Sequence, residues 1–191
     1  MSVFDMMADP ARPDEQLLFA RVRSGDREAF EQLFHLHFAP LCRFAASLVR
    51  DSGMAEDLVQ DTMVALWMSR ERLPIADSPR AYLYRAVRNR ALNAIRHDRV
   101  VQRFENHIDP TEPTMAQGGD EQMAGRDAVD AAAKAIERLP ARCREIFLLS
   151  REHNQSYADI ARTLEISVKT VETQMGRALK KLRDAVAPHL G

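Results

Sequence analysis

Lys169, Thr170, Glu172, Thr173, Gly176, Arg177, Lys180 and Lys181 all fall in the short stretch VKTVETQMGRALKKLR, residues 168–183. Hydroxyls and a carboxylate come first, and cations dominate toward the end. Such a series can hydrogen-bond base edges and then neutralise phosphates. Groupings suited to bond-making chemistry are absent by comparison. His35 and His37 stand two apart, so on a helix they face different ways and suit neither a shared metal nor a dyad. Cys42 and Cys143 are far apart, lack metal-ligand spacing and sit among apolar residues, which makes them buried thiols. No catalytic residue, metal, cofactor or small-molecule substrate is expected, and an enzyme is the least supported class.

The polar series needs a helix to display it. Val168, Val171, Met175, Ala178, Leu179 and Leu182 recur at threes and fours and supply an apolar opposite face. Ser167 is positioned to cap that helix. Upstream, Ser156 and Asp159 have capping-box spacing and open a helix YADIARTL, with Ile160, Ala161 and Leu164 to bury. Between the two helices EIS leaves room only for a sharp corner, and Ala161 is small enough to let them cross closely. Helix, short corner and second helix form the helix-turn-helix signature, whose second helix enters the major groove. The same polar face also suits a solvated surface helix, because basic residues are favoured near helix C-termini.

The remainder of the 191-residue chain is helical in pattern and uneven in charge. Its net charge is only -1, with 46% hydrophobic and 29% charged residues. Residues 78–103 nevertheless carry seven arginines against one acid, residues 104–130 carry seven acids against one arginine, and residues 168–183 carry five cations against one acid. Alternating basic and acidic blocks point to a polyanion partner that the total conceals. Helical spacing runs through AFEQLFHLHFAPLCRFAASLVRD, where Pro40 predicts a kink or a new start. It continues through MAEDLVQDTMVALWMSRERL, with Leu58, Val59, Met63, Leu66 and Trp67 as candidate core. In RAYLYRAVRNRALNAIRHDR the residues Leu83, Val87, Ala91 and Ile95 share one face, with arginines on the rest. A stretch rich in Pro, Gly and acids follows and reads as a flexible acidic linker. The predicted fold is all-α: two small helical domains, 13–103 and 127–187, joined by the linker 104–126, with the helix-turn-helix in the second domain.

Four ordered segments carry a resemblance that spans about Pro13 to Leu182. RVRSGDREAFEQLFHLH, AEDLVQDTMVALW, SPRAYLYRAVRNRALNAIR and LPARCREIFLLSREHNQSYADIARTLEISVKTVETQMGRALKKLR resemble, in turn, segments of the extracytoplasmic-function (ECF) sigma factors of bacterial RNA polymerase. These are the opening helix, the polymerase-binding helix, the promoter-melting helix and the C-terminal helix-turn-helix domain. Each segment is moderately specific, and the four in order are highly so.

The resemblance implies core RNA polymerase as a partner, through its β′ clamp and β flap, and promoter DNA as another. Asp57, Leu58, Val59, Gln60 and Asp61 would meet the clamp coiled coil, their acids complementing a basic surface. The same acids would favour a helix N-terminus in any case. Tyr82, Tyr84, Arg85, Arg88 and Asn89 would contact the minus-10 element. There arginines neutralise phosphates, aromatics hold exposed bases, and the amide at Asn89 reads a base captured outside the stack. On residue type alone Tyr82 and Tyr84 suit the core equally well, and Trp67 suits it better. Lys169, Glu172, Thr173, Gly176, Arg177 and Lys180 would face the minus-35 element. The linker would follow the path of nascent RNA through the polymerase.

Two positions depart from the family pattern. Glu165 stands at the corner where many relatives have glycine, so it must adopt an unfavourable backbone or shift the corner. Gly176 lies inside the recognition helix, at a cost of about 1 kcal/mol relative to alanine, and offers a close backbone approach in place of a side chain. The family also implies an anti-sigma factor as a third partner. The competing reading is a homodimeric helix-turn-helix repressor, which leaves the Arg/Tyr helix and the acidic linker unemployed. No basic-then-apolar leader and no membrane-length apolar run is present, so a cytoplasmic protein is expected.

Overall fold

The computed structural model describes residues 14–75, 78–105 and 124–189. Eight α-helices build these residues, with no strand among them. They are α1 (Glu15–Arg23), α2 (Arg27–Val49), α3 (Ser52–Met68), α4 (Pro79–Glu105), α5 (Ala124–Glu137), α6 (Ala141–Arg151), α7 (Tyr157–Leu164) and α8 (Val168–Val186). The chain separates into two compact units, one ending at His97 and the next starting at Asp98. α4 runs on to Glu105 and α5 begins at Ala124, so the predicted linker 104–126 is trimmed by helix at both ends. Its remainder lies outside the described residues.

In the first unit the helix boundaries are written by short polar side chains. Asp14, Asp26 and Asp51 accept from free amide groups at the starts of α1, α2 and α3. α2 stops at Arg50, which takes the left-handed conformation with φ 61° and donates its N–H to the Ala46 carbonyl. Asp51 opens α3 at the next residue, so the turn between α2 and α3 takes only Arg50 and Asp51. Pro40 neither ends α2 nor starts a new helix: a single helix of 23 residues passes through it. Leu33, His37, Leu41 and Phe44 are buried on both sides of the proline, and this packing holds the helix where proline has no N–H to donate. Phe19 of α1, Val59 and Met63 of α3, and Leu83 and Val87 of α4 complete the core. Each fully buried side chain of this kind stabilises the unit by roughly 1.5–3 kcal/mol.

The second unit packs α5, α6 and α7 against α8. Ile146 and Leu149 from α6, Ile160 and Leu164 from α7, and Val171, Met175 and Ala178 from α8 are buried together. Leu182 is half-buried, while Val168 and Leu179, predicted on the apolar face, are 42% and 37% exposed at its margins.

Candidate nucleic-acid interface

The corner between α7 and α8 sets the direction of the polar series. Ser156 Oγ accepts from the Asp159 amide at 3.1 Å and donates to the Asp159 carboxylate at 2.7 Å. The aspartate therefore binds the cap hydroxyl, and also Arg162 at 3.2 Å. α7 ends at Glu165, which adopts the left-handed conformation with φ 54° and ψ 47°. The corner keeps its geometry and the glutamate carries the strain, in place of the shift that was the other option. The amides of Glu165 and Ile166 both donate to the Ala161 carbonyl. Ser167 then caps α8 by accepting from the Thr170 amide at 3.1 Å. From α6, Arg142 donates to the Leu164 carbonyl at 2.7 Å and pairs with Glu145 at 3.1 Å. That contact bridges 22 residues, and no local pattern announces it.

Along α8, Lys169, Glu172, Thr173, Gly176, Arg177 and Lys180 are all exposed. Lys169 and Glu172 form an ion pair at 3.3 Å, and the Thr173 hydroxyl donates to the Lys169 carbonyl at 2.8 Å. The opposite face is used up in the core, where the Cys143 thiol donates to the Gln174 carbonyl at 3.2 Å. The face turned outward is thus a row of polar and basic groups on a helix held at its start by a cap and at its corner by Arg142.

The candidates on α4 divide. Tyr84 is fully buried, its ring 5.1 Å from Phe44, and burial pushes its hydroxyl up to about 12 despite nearby Arg80 and Arg43. It is a core residue and cannot serve as a stacking platform. Tyr82 is half-buried, edge-on to Phe19 at 5.7 Å, with the Arg85 guanidinium 5.9 Å from its ring centre. Asn89 is exposed, and Arg85 and Arg88 are half-buried.

α3 divides in the same way. Asp57, Gln60 and Asp61 are exposed and Leu58 is half-buried, but Val59 is fully buried and offers nothing to a partner. Val64 and Met68, which sequence spacing could have flagged, extend the Asp57 and Asp61 face and are 61% and 75% exposed. Trp67 is only half-buried, with its ring 5.0 Å from Phe30 and under the Arg70 guanidinium at 4.6 Å.

Burial raises both cysteine thiols above their ordinary range, with Glu56 adding to the effect at Cys42. Among the described residues no cluster of three or more His, Cys, Asp or Glu is arranged to hold a metal, and no helix is long and apolar enough to cross a membrane.

Two family models match the chain: Sigma-70 region 2 at residues 33–100 and Sigma-70, region 4 at residues 130–182. The RNA polymerase sigma factor CarQ of Myxococcus xanthus is 30% identical over 86% of this chain and 92% of its own. The ECF RNA polymerase sigma factor SigL of Mycobacterium tuberculosis is 32% identical over 79% and 85%. A solved structure of CnrH in complex with the cytosolic domain of CnrY aligns with a TM-score of 0.63 at 28% identity, over 91% of this chain and 97% of that one. A capped helix-turn-helix, an Arg/Tyr helix and an acidic exposed helix face therefore occur in a chain matched nearly end to end by such relatives. The protein belongs to the ECF sigma factors of bacterial RNA polymerase.

Proposed function

We propose that α3 docks the protein on core RNA polymerase while α4 and α8 read two separate promoter elements. As a sigma factor the protein directs promoter-specific transcription initiation; the assignment of tasks to residues is the proposal. Asp57, Gln60 and Asp61 meet the β′ clamp, with Leu58 beside them and Val59 supporting from the core. Tyr82, Arg85, Arg88 and Asn89 engage the minus-10 element, with Tyr84 holding the helix from within. Lys169, Glu172, Thr173, Gly176, Arg177 and Lys180 meet the minus-35 element. The first unit acts as sigma region two, the second as region four, which also meets the β flap, and the segment between them as the linker.

The observation that carries this reading is the outward row on α8. Six polar, basic or bare positions stand on a helix whose other face is spent in the core and whose corner is pinned by Arg142. That supports a groove-reading role over a merely solvated face. The protein catalyses nothing itself and works in the cytoplasm. An anti-sigma factor holds it inactive, a partner class seen in the solved complex of the sigma factor RpoE with the anti-sigma factor NepR from Bartonella quintana.

The test is reconstitution with core polymerase on a template library whose upstream and downstream promoter blocks are randomised. Transcripts that depend on the protein and enrich both blocks support the reading. Tight duplex binding without polymerase, and no protein-dependent initiation, would overturn it in favour of a repressor.

A further inference from the structure

Glycine inside a helix usually has an internal reason: a left-handed backbone, a kink, or a neighbour too close for a Cβ. Gly176 has none of these among the described residues. It is absent from the positive-φ positions, and α8 runs unbroken from Val168 to Val186. Apart from its chain neighbours and the backbone of its own turns of helix, a Cβ built at Gly176 meets no atom within 4 Å. The second unit would accept alanine there and gain stability from it, since glycine is the poorer helix former. Gly176 also lies at the middle of the outward row. Glu172 and Thr173 stand four and three residues before it, Lys180 four after, and Arg177 beside it, all exposed.

We infer that Gly176 is a specificity-determining position, a notch that lets the backbone of α8 come against base edges a side chain would hold away. This rests on the DNA-facing role of α8 proposed above and adds how that face selects sequence. Lys169, Glu172 and Arg177 have long side chains that reach base edges or phosphates from a distance. The bare Cα lets Thr173, whose hydroxyl already binds its own helix, and the helix backbone approach without being propped outward. Selection at the base pairs facing the notch is then by shape: bases whose major-groove edge fills the notch are accepted, and a Cβ closes it.

The experiment uses full-length protein, core RNA polymerase and a template library with only the minus-35 block randomised, reading base enrichment in the transcripts. Wild type is compared with Gly176→Ala and Arg177→Ala, with affinity for core polymerase and thermal melting measured on each. Gly176→Ala should melt at a higher temperature, by roughly 4 °C for a unit of this size. It should bind core equally well, yet lose at least tenfold enrichment at one or two adjacent positions and keep the rest. If Gly176→Ala matches wild type at every position while Arg177→Ala flattens the profile, the notch is refuted and the DNA-facing role stands. If neither substitution changes the profile, the DNA-facing role of α8 fails, and this inference falls with it.

Discussion

The guanidinium of Arg142 donates to the carbonyl of Leu164 at 2.7 Å, at the place where α7 ends and the corner begins. The last carbonyls of a helix lack internal partners and carry the negative end of its dipole, so a cation there is well placed. The same guanidinium pairs with Glu145, whose side chain is only 10% exposed. An arginine on α6 thereby joins the outgoing end of α7 to the core of the second unit.

Removing that join should loosen the corner without touching any outward residue. Arg142→Ala should lower the stability of the second unit by about 1 kcal/mol, since the side chain is partly solvated. It should also blur base enrichment across the whole minus-35 block while core polymerase binding stays at wild-type strength. Arg142→Lys, able to reach one carbonyl but not to fork, should recover part of both. Denaturant midpoints and the randomised-template readout check this. An Arg142→Ala protein with wild-type enrichment would show that the corner holds without it.

Glu165 follows Leu164 and sits at φ 54°, a backbone that an L side chain adopts at a cost of roughly 1–2 kcal/mol. Glu165→Gly relieves this strain and at the same time frees the unfolded chain, which offsets part of the gain. The expected net effect is a stabilisation of about 0.5–1 kcal/mol, seen as a higher denaturant midpoint with unchanged slope. A lower midpoint would mean that the glutamate side chain contributes more than its backbone costs.

Tyr82 and Tyr84 are separated by one residue and by a large turn of the helix, and their substitutions should part accordingly. Tyr84→Ala opens a cavity against Phe44 and should cost about 3–5 kcal/mol, as for other large aromatics in cores. Tyr82→Ala should cost less and act mainly on promoter opening, visible as weaker reactivity of unpaired thymines at the start site. Tyr84 also makes stability sensitive to alkali. Its folded value of about 12 lies above the ordinary value of 10, so the neutral phenol is favoured in the fold. That contribution is intact below pH 10 and is lost as pH rises toward 12, because the unfolded chain releases its proton first. Tyr84→Phe should remove this loss, which melting curves across that range would reveal.

Much of this architecture is legible from local signals, and the failures have physical causes. Ser156, Ser167 and Asp51 bind amides three residues away, so their caps are written in short stretches of sequence. The repeat of Leu83, Val87 and Ala91 finds the buried side of α4 for the same reason. Tyr84 is adjacent to Leu83 and falls within the width of that buried stripe, which a four-residue repeat alone does not resolve. By residue type and position Val59 suits a partner and the core alike, and packing against the rest of the unit decides for the core. Pro40 misleads because a proline weakens a helix only by what packing fails to repay. The Arg142 contact joins two elements and has no local signature.

Asp26 offers a test at the acid end of the pH scale. Its carboxylate caps α2 through the Ala29 amide at 3.1 Å and takes Arg21 at 2.7 Å, so both the start of α2 and the end of α1 bear on it. The Ala29 hydrogen bond, and then Arg21, hold its pKa below the usual 3.8. A depressed carboxyl contributes its stability fully above the unfolded value and loses it as pH falls through the folded one. Asp26→Asn keeps an oxygen for the cap but gives up the charge. The variant should therefore be less stable than wild type near neutral pH. The gap should begin to narrow below about pH 4, where the unfolded carboxyl takes up its proton, and close only once the folded carboxyl is protonated as well. Denaturant titrations at a series of pH values measure that gap directly. A gap that stays constant down to strong acid would assign the loss to cap geometry and exclude the charge as its source.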